Sequence, residues 1–344
     1  MKAFLSQAQT AHYPESFLVN GMWEDNPENP ERIARLRAGA EAAGCAIECP
    51  PDAGIGPIAA VHPDRYLQFL ERSFARWSRI KGAAASVTPN IHPSRRDGGY
   101  PASVVAQAGW HMSDASCPIS AETWSSSYWS AQCAIAAADA VLSGDREAYA
   151  LCRPPGHHAA SEVAGGFCYI NNTAIAARRL QSRYPNVATL DIDLHHGNGA
   201  QEIFYSDPSV LTISIHADPE RFYPFFWGYA GETGAGAGAG FNLNFPLPRG
   251  TGDDGFLDAL GGALERIEQF GPDALVIALG LDAFEGDPFG GLAVSTEGYG
   301  KIASAIAASY QGPTVLVQEG GYLCDALGDN LASFIAAFEK ARDR

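Results

Sequence analysis

Two acidic residues and a histidine alternate with other residues in one short stretch of the chain. Asp191, Asp193 and His195 are spaced at i, i+2 and i+4 and follow the apolar run 187–190, which is typical of a buried parallel strand. On an extended strand, side chains with this spacing point to one side. Burial of two carboxylates and an imidazole without partners is costly, and a divalent metal ion would remove that cost. The alternative is a strand end capped by its own hydrogen bonds.

A further carboxylate follows another apolar run, because Asp282 comes after residues 274–280. With Asp193 and His195 it offers two carboxylate oxygens and one imidazole nitrogen. Three protein ligands leave positions open for water and substrate, as a catalytic zinc site requires. Since the set contains no thiolate, Fe(II) or Co(II) would also suit it. The alternative role for Asp282 is that of a helix N-cap.

Two adjacent histidines, His157 and His158, follow a Pro-Pro-Gly turn. Opposite a metal ion, such a pair suggests a base and an electrostatic partner for attack by water. Asp191 can accept a hydrogen bond from one imidazole and keep it charged, whereas the neutral Asn198 would leave its partner less basic. The phenol of Tyr322, which follows two glycines, can donate to a developing oxyanion. Together these residues predict a metal-dependent hydrolase.

The candidate residues follow the ends of successive predicted strands. We predict strands at 148–152, 187–190, 210–215, 274–280 and 314–317, and helices at 172–183, 254–270, 297–310 and 325–341. This alternation predicts an α/β fold with a mostly parallel sheet and helices on both faces, and ligands bind beyond the carboxyl ends of such strands. We see no linker and expect a single domain over residues 1–344. An irregular insertion rich in Gly, Ala, Pro and Ser lies at about 80–109.

Composition excludes several other classes of protein. The chain has 344 residues and a net charge of −16, which disfavours nucleic acid as a partner. No apolar stretch approaches the roughly 20 residues of a membrane helix, and we see no signal peptide at the N-terminus. The seven cysteines are scattered and include no CxxC pair, as expected in a reducing compartment. We therefore expect a cytoplasmic enzyme with no membrane partner.

Five ordered motifs resemble those of the histone deacetylase family, and most of all those of its bacterial acetylpolyamine amidohydrolase branch. The resemblance begins at residues 27–32 and covers nearly the whole chain. The motifs are Pro-Pro-Gly-His-His (154–158), Gly-Gly-Phe-Cys-Tyr-Ile-Asn-Asn (165–172), Asp-Ile-Asp-Leu-His-His-Gly-Asn-Gly (191–199), Leu-Gly-Leu-Asp (279–282) and Glu-Gly-Gly-Tyr (319–322).

The resemblance implies the arginase–deacetylase fold and hydrolysis of an acetyl amide to acetate and a free amine. It assigns His158 as general base and acid, with Asn198 opposite it, and His157 as an electrostatic helper that Asp191 supports. Tyr322 would polarise the acetyl carbonyl. The residues that would hold Zn²⁺ are Asp193, His195 and Asp282.

The resemblance also implies a K⁺ site, a substrate channel and a homodimer. Phe167 and Tyr223 match the aromatic walls of the channel, with Gly166 beside them, although core packing is the alternative for the two aromatic residues. The insertion at about 80–109 resembles one through which the amidohydrolases dimerise and narrow the channel. The residues that match the K⁺ site are Asp191, Asp193, His195, Ser214 and Ile215.

The sequence departs from the family pattern at the rim of the channel. Val105 and Ser116 stand where polyamine-specific members have acidic residues, and Glu122, Asp114 or Asp97 would have to replace them. We therefore expect a small acetylated amine as substrate, with acetyl-lysine or another acylated amine or amide as the alternative. A third hypothesis is an inactive scaffold that binds an acetylated ligand. A second departure is Asn198, since many eukaryotic deacetylases have Asp at this position. The amidohydrolase branch also has Asn there.

Overall fold

A single parallel sheet of eight strands forms the centre of the molecule. The structure is a computed structural model and describes residues 1–96 and 98–343. The strands are β1 (Lys2–Phe4), β2 (Ser16–Val19), β3 (Met22–Asp25), β4 (Ala46–Glu48), β5 (Glu147–Ala150), β6 (Val187–Asp191), β7 (Val210–Ala217), β8 (Asn242–Leu247), β9 (Ala274–Leu279) and β10 (Thr314–Gln318). In the sheet the strands follow the order β4-β1-β5-β10-β9-β6-β7-β8, and β2 and β3 form a separate antiparallel hairpin.

Helices cover both faces of the sheet because alternate residues of its central strands face opposite sides. The helices are α1 (Glu31–Ala42), α2 (Gly56–Ala59), α3 (Asp64–Trp77), α4 (Val104–His111), α5 (Thr123–Leu142), α6 (Asn172–Leu180), α7 (Asn198–Phe204), α8 (Asp253–Phe270), α9 (Thr296–Ser309) and α10 (Leu327–Arg342). Along β5, Ala148 and Ala150 pack with α3, α5 and α6 on one face, whereas Tyr149 packs with α1, α8, α9 and α10 on the other. The observed architecture is the α/β fold that the sequence predicts.

One expectation about the strand before the metal-ligand candidates needs correction. Strand β6 ends at Asp191, so Asp193 and His195 lie in the following loop rather than on an extended strand. The backbone leaves the extended conformation there, because its amides donate to side-chain oxygens rather than to a neighbouring strand. Asp191 Oδ1 accepts from the Asp193 amide (3.0 Å), and Asp193 Oδ1 accepts from the His195 amide (2.9 Å). The irregular stretch expected at about 80–109 also contains a helix, α4, at its end.

His62 makes the stability of the fold sensitive to acid. Its Nδ1 donates to the Ser161 carbonyl and its Nε2 accepts from the Asn171 amide, each at 2.9 Å. Burial lowers the pKa of His62 to about 4. Between the ordinary histidine value of about 6.5 and about 4, the unfolded chain binds a proton that the folded chain does not, so the free energy of unfolding falls as the pH falls.

Between pH 6 and 5, His62 accounts for the uptake of about one proton on unfolding, which changes the free energy of unfolding by about 1.4 kcal/mol per pH unit. We expect His62→Gln to remove this contribution. Urea titrations at pH 7, 6 and 5 measure this slope. Other buried histidines contribute equally to both proteins and cancel in the comparison. His92→Gln is the matched control, because His92 is exposed. Equal slopes for wild type and His62→Gln would contradict the assignment.

Candidate active site

Three buried side chains from two loops meet beyond the carboxyl ends of β6 and β9. Asp193 and His195 come from the loop after β6, and Asp282 comes from the loop after β9. One ligand atom of each lies within 4.8 Å of the other two. His195 Nδ1 is 3.2 Å from Asp193 Oδ1 and 3.1 Å from Asp282 Oδ2. Because this nitrogen and these oxygens converge in a buried place, the set fits a divalent metal ion.

Gly320 approaches the same carboxylates so closely that no side chain fits there. A Cβ atom at this position would lie 2.2 Å from Asp282 Oδ2 and 2.5 Å from Asp193 Oδ2. The amide of Gly320 donates to Asp193 Oδ2 at 2.7 Å, and the amide of Leu194 donates to Asp282 Oδ1 at 3.0 Å. Backbone amides thus fix both carboxylates, and each carboxylate directs one oxygen towards the His195 ring.

The tandem histidines lie beside this cluster, each with a different acceptor. His157 Nδ1 is 2.9 Å from Asp191 Oδ2, and His158 Nδ1 is 2.7 Å from Asn198 Oδ1. The ring centroids of His158 and His195 are 5.8 Å apart. Since an acceptor holds Nδ1 of each ring, Nδ1 carries a proton and Nε2 of His158 is left free to act as a base.

The electrostatic environments of the two histidines are opposite. Burial by itself lowers the pKa of His157, but the carboxylates of Asp193 and Asp191 outweigh it and raise that pKa well above the ordinary value. Burial and the neighbouring His157 and His195 rings lower the pKa of His158 well below the ordinary value. These surroundings favour the charged form of His157 and the neutral form of His158.

Tyr322 is buried between aromatic rings and a guanidinium group. It packs with Phe17 and Phe167, and the Arg32 guanidinium carbon lies 4.9 Å from the centre of its ring. Burial raises the pKa of Tyr322 well above its ordinary value, so the phenol keeps its proton and can donate a hydrogen bond. Its amide donates to Asp287 Oδ2 at 2.9 Å.

Two of the predicted channel residues, Tyr223 and Gly166, lie against His158, and the third, Phe167, lies against Tyr322. The Tyr223 ring packs edge-on against His158, with centroids 5.0 Å apart, and Phe167 packs 5.9 Å from the Tyr322 ring. Gly166 has a φ of +50°, and a Cβ there would lie 2.5 Å from the His158 ring. A side chain at position 166 would therefore collide with the candidate base.

Asp114 is the acidic residue that the structure places on this wall. Its Oδ2 accepts from the Tyr223 hydroxyl at 2.7 Å, and its Oδ1 accepts from the Ser116 amide at 2.9 Å. Val105 packs against the core from α4, and Glu122 lies at the N-terminus of α5. The third acidic candidate, Asp97, lies outside the described residues.

The residues that match a K⁺ site are adjacent in the sheet. Asp191 on β6 is in register with Ser214 on β7, and both are buried. Ile215 follows on β7 with its side chain in the core, so only its main chain is available as a ligand. Asp193 and His195 continue from the end of β6.

Three buried charged residues support the site, although the sequence analysis did not assign them to it. Arg32 donates to the main-chain oxygens of Gly321 (2.6 Å) and Glu319 (2.8 Å). Asp287 holds the Tyr322 amide, and Glu319 holds the loop of the tandem histidines. Glu319 lies within a recognised motif, and Arg32 lies in the turn-rich segment 27–32, so both had a local signal. Asp287 had none.

Comparison with known proteins decides the family of this chain. A model of the histone deacetylase domain matches residues 26–338. The chain belongs to the histone deacetylase family. It is 46% identical over 343 residues to an acetylpolyamine amidohydrolase of Burkholderia pseudomallei, covering 99% of this chain and 100% of the relative. It is 36% identical over 337 residues to an acetylpolyamine amidohydrolase of Mycoplana ramosa, covering 97% and 98% of the two chains.

Solved structures agree with this family membership. A crystal structure of an acetylpolyamine aminohydrolase from Burkholderia pseudomallei superposes with a TM-score of 0.95 at 46% identity and covers 98% of each chain. The expected arginase–deacetylase fold is thereby confirmed. The protein is an enzyme of the deacetylase class, a hydrolase, and its family implies a catalytic metal ion. In the described residues, no helix is both long and apolar enough to span a membrane.

Proposed function

We propose that this deacetylase uses Zn²⁺ to hydrolyse acetyl amides of small cationic amines. The names of its relatives indicate acetylpolyamines as the substrates of those proteins. The observation that carries the proposal is the convergence of Asp193, His195 and Asp282 beside the tandem histidines. Zinc suits two carboxylates and one imidazole with positions left for water and substrate. Fe²⁺ or Co²⁺ would suit the same ligands.

We assign one role to each side chain around the reacting carbonyl. The metal ion would supply Lewis acidity and a water molecule of lowered pKa. His158 Nε2 takes a proton from the attacking water and returns it to the leaving amine nitrogen, while Asn198 holds its Nδ1. His157, held by Asp191, contributes positive charge. The Tyr322 phenol donates to the carbonyl oxygen as negative charge develops there.

The substrate channel supports a cationic amine as the leaving group. We propose that Phe167, Tyr223 and Gly166 line the approach to His158, since the Tyr223 ring packs against His158 and no side chain fits at Gly166. Asp114, fixed by the Tyr223 hydroxyl, provides a carboxylate in place of the missing acidic residues at Val105 and Ser116. We propose that Asp114 attracts the distal ammonium group of the substrate.

The proposed substrate class is tested with a matched panel of acetylated amines on the zinc-loaded enzyme. The panel contains acetylputrescine, acetylcadaverine, acetylspermidine, an acetyl-lysine peptide and an uncharged acetamide. We expect the highest kcat/KM for the short cationic amines. Preference for the peptide or for the uncharged amide would instead support the alternative substrates. Absence of any turnover with metal bound would support the inactive scaffold.

We expect Asp114→Asn to lower kcat/KM for acetylputrescine about fivefold to tenfold, because roughly 1 to 1.4 kcal/mol of attraction is lost. The asparagine oxygen can keep the bond from the Ser116 amide, and the Tyr223 hydroxyl can rotate to accept from the new amide group, so the wall keeps its shape. Turnover of the uncharged acetamide should stay unchanged. Asp145→Asn is the control, since Asp145 pairs with Lys2 on the surface. An equal loss for charged and uncharged substrates would refute attraction by Asp114.

We also propose K⁺ at Asp191, Asp193, His195, Ser214 and Ile215, where carboxylate, hydroxyl and main-chain oxygens suit a hard cation. Because the ion would lie beside Asp191, it would modulate the charge near His157. This second site is thus proposed to tune the electrostatics of the first.

We propose that the chain forms one domain and acts as a cytoplasmic homodimer. The amino group of Met1, the residue before β1, forms an ion pair with Glu339 of the last helix, α10. The seven cysteines are free thiols, which suits a reducing compartment. The insertion leaves Ile91 60% exposed and Tyr100 38% exposed, which suits burial against a second copy. Light scattering after size exclusion measures the mass.

A further inference from the structure

Glu319 connects two loops of the active site although it does not face the substrate in our proposed mechanism. It follows directly after β10 and is fully buried. A buried carboxylate requires several hydrogen bonds to offset the loss of water. Its partners therefore indicate what the residue does.

The carboxylate of Glu319 holds the loop that carries the tandem histidines. Its Oε2 accepts from the backbone amides of Gly156 (2.6 Å) and His157 (3.0 Å). Its Oε1 accepts from the Thr173 hydroxyl at 2.7 Å, which ties the same group to the first turn of α6. Residues 154–158 lie outside the helices and strands, so these bonds replace the support that a regular element would give.

The main chain at Glu319 is attached to the metal-ligand cluster. Its carbonyl oxygen accepts from Arg32 at 2.8 Å. The amide of the next residue, Gly320, donates to Asp193 Oδ2 at 2.7 Å. Glu319 and the adjacent Gly320 thus connect the loop that precedes the candidate base His158 to a candidate metal ligand, across more than 120 residues of sequence on either route.

We infer that Glu319 is a positioning residue, whose side chain sets the distance between the tandem histidines and the metal-ligand cluster. The inference rests on the proposed roles of His157 and His158. The amides of Gly156 and His157 both bond Oε2, which lies at the end of the Glu319 side chain. The length of that side chain therefore determines where the loop of the tandem histidines lies. The negative charge is secondary, since a neutral oxygen at the same place can accept the same two bonds.

Two conservative variants separate reach from charge. In Glu319→Gln the carbonyl oxygen keeps the place of Oε2, and the Thr173 hydroxyl rotates to accept from the new amide group. We expect kcat within about threefold of wild type. Glu319→Asp keeps the charge but withdraws the carboxylate by about 1.5 Å, and we expect kcat to fall about tenfold or more with KM changed less than about twofold. A purely structural role would lower thermal stability without this separation of kcat from KM.

The experiment measures kcat, KM, Tm and metal content for the zinc-loaded variants on acetylputrescine and on the uncharged acetamide. Glu147→Gln is the matched control, because Glu147 lies at the start of β5 and pairs with Arg342. Its activity should equal that of wild type. A Gln variant no better than the Asp variant overturns the inference. If the Asp variant does not fold, a tenfold loss in the Gln variant alone overturns it.

A second readout is independent of turnover. Hydrogen exchange at the Gly156 and His157 amides, followed by NMR, should be faster in Glu319→Asp than in Glu319→Gln and wild type. Inactivity of the wild-type enzyme on every acetyl amide would defeat the proposed function, whereas unchanged exchange in the Asp variant would defeat only the positioning role.

Discussion

His158→Ala should lower kcat by about 10²- to 10⁴-fold while the protein still binds metal and substrate. In the proposed mechanism the His158 ring moves a proton in both halves of the reaction, and loss of such a group costs about 10²- to 10⁴-fold in kcat. The ring lies 5.8 Å from the His195 ring, centre to centre, and bonds Asn198 rather than a metal-ligand candidate. Its removal therefore leaves the metal cluster intact.

Three measurements together test this expectation. Steady-state kinetics on acetylputrescine give kcat, calorimetry on the variant gives the Kd of the substrate, and metal analysis gives the content per chain. His92→Ala serves as the control, because His92 is exposed. Near-normal turnover of His158→Ala would show that another group acts as the base. Loss of metal from the variant would instead show that the ring helps to shape the metal site.

The centre of the fold could be predicted from sequence because buried parallel strands consist of uninterrupted apolar residues. The five apolar runs that end near Asp191, Asp282 and the other candidates are strands of the sheet, and the helices between them cover both faces. The edge strands left a weaker pattern. Strand β4 has two exposed residues among its three, and β8 contains Pro246, so neither resembles a buried strand. The helix α7 is short and begins within the motif 191–199, where Gly197 and Gly199 flank its first residue, Asn198.

The convergence of the candidate site residues could be predicted from sequence because parallel strands bring their carboxyl ends to one edge of the sheet. Residues that follow the four strands β5, β6, β9 and β10 meet there. The supporting contacts could not be predicted, since they join distant parts of the chain. Arg32 bonds the oxygen of Gly321, 289 residues away, and Asp287 bonds the amide of Tyr322. No local periodicity encodes such pairs.

Tyr322→Phe should lower kcat by about 10²- to 10³-fold and leave metal content and KM nearly unchanged, because a donor to a developing oxyanion acts mainly in the transition state. The substitution removes only one oxygen. The ring can keep its packing against Phe17 and Phe167 and its position under Arg32. The Tyr322 amide can still donate to Asp287.

A matched control distinguishes the chemical role of this hydroxyl from burial of a tyrosine in general. Tyr299 in α9 is also buried, and its hydroxyl makes no hydrogen bond within the described part of the chain. Tyr299→Phe should keep wild-type kcat. If Tyr322→Phe loses metal, or if both variants lose activity equally, then the phenol of Tyr322 supports the structure rather than the oxyanion. A large loss in kcat confined to Tyr322→Phe agrees with a donor that acts on the reacting carbonyl, because folding and metal binding are unchanged.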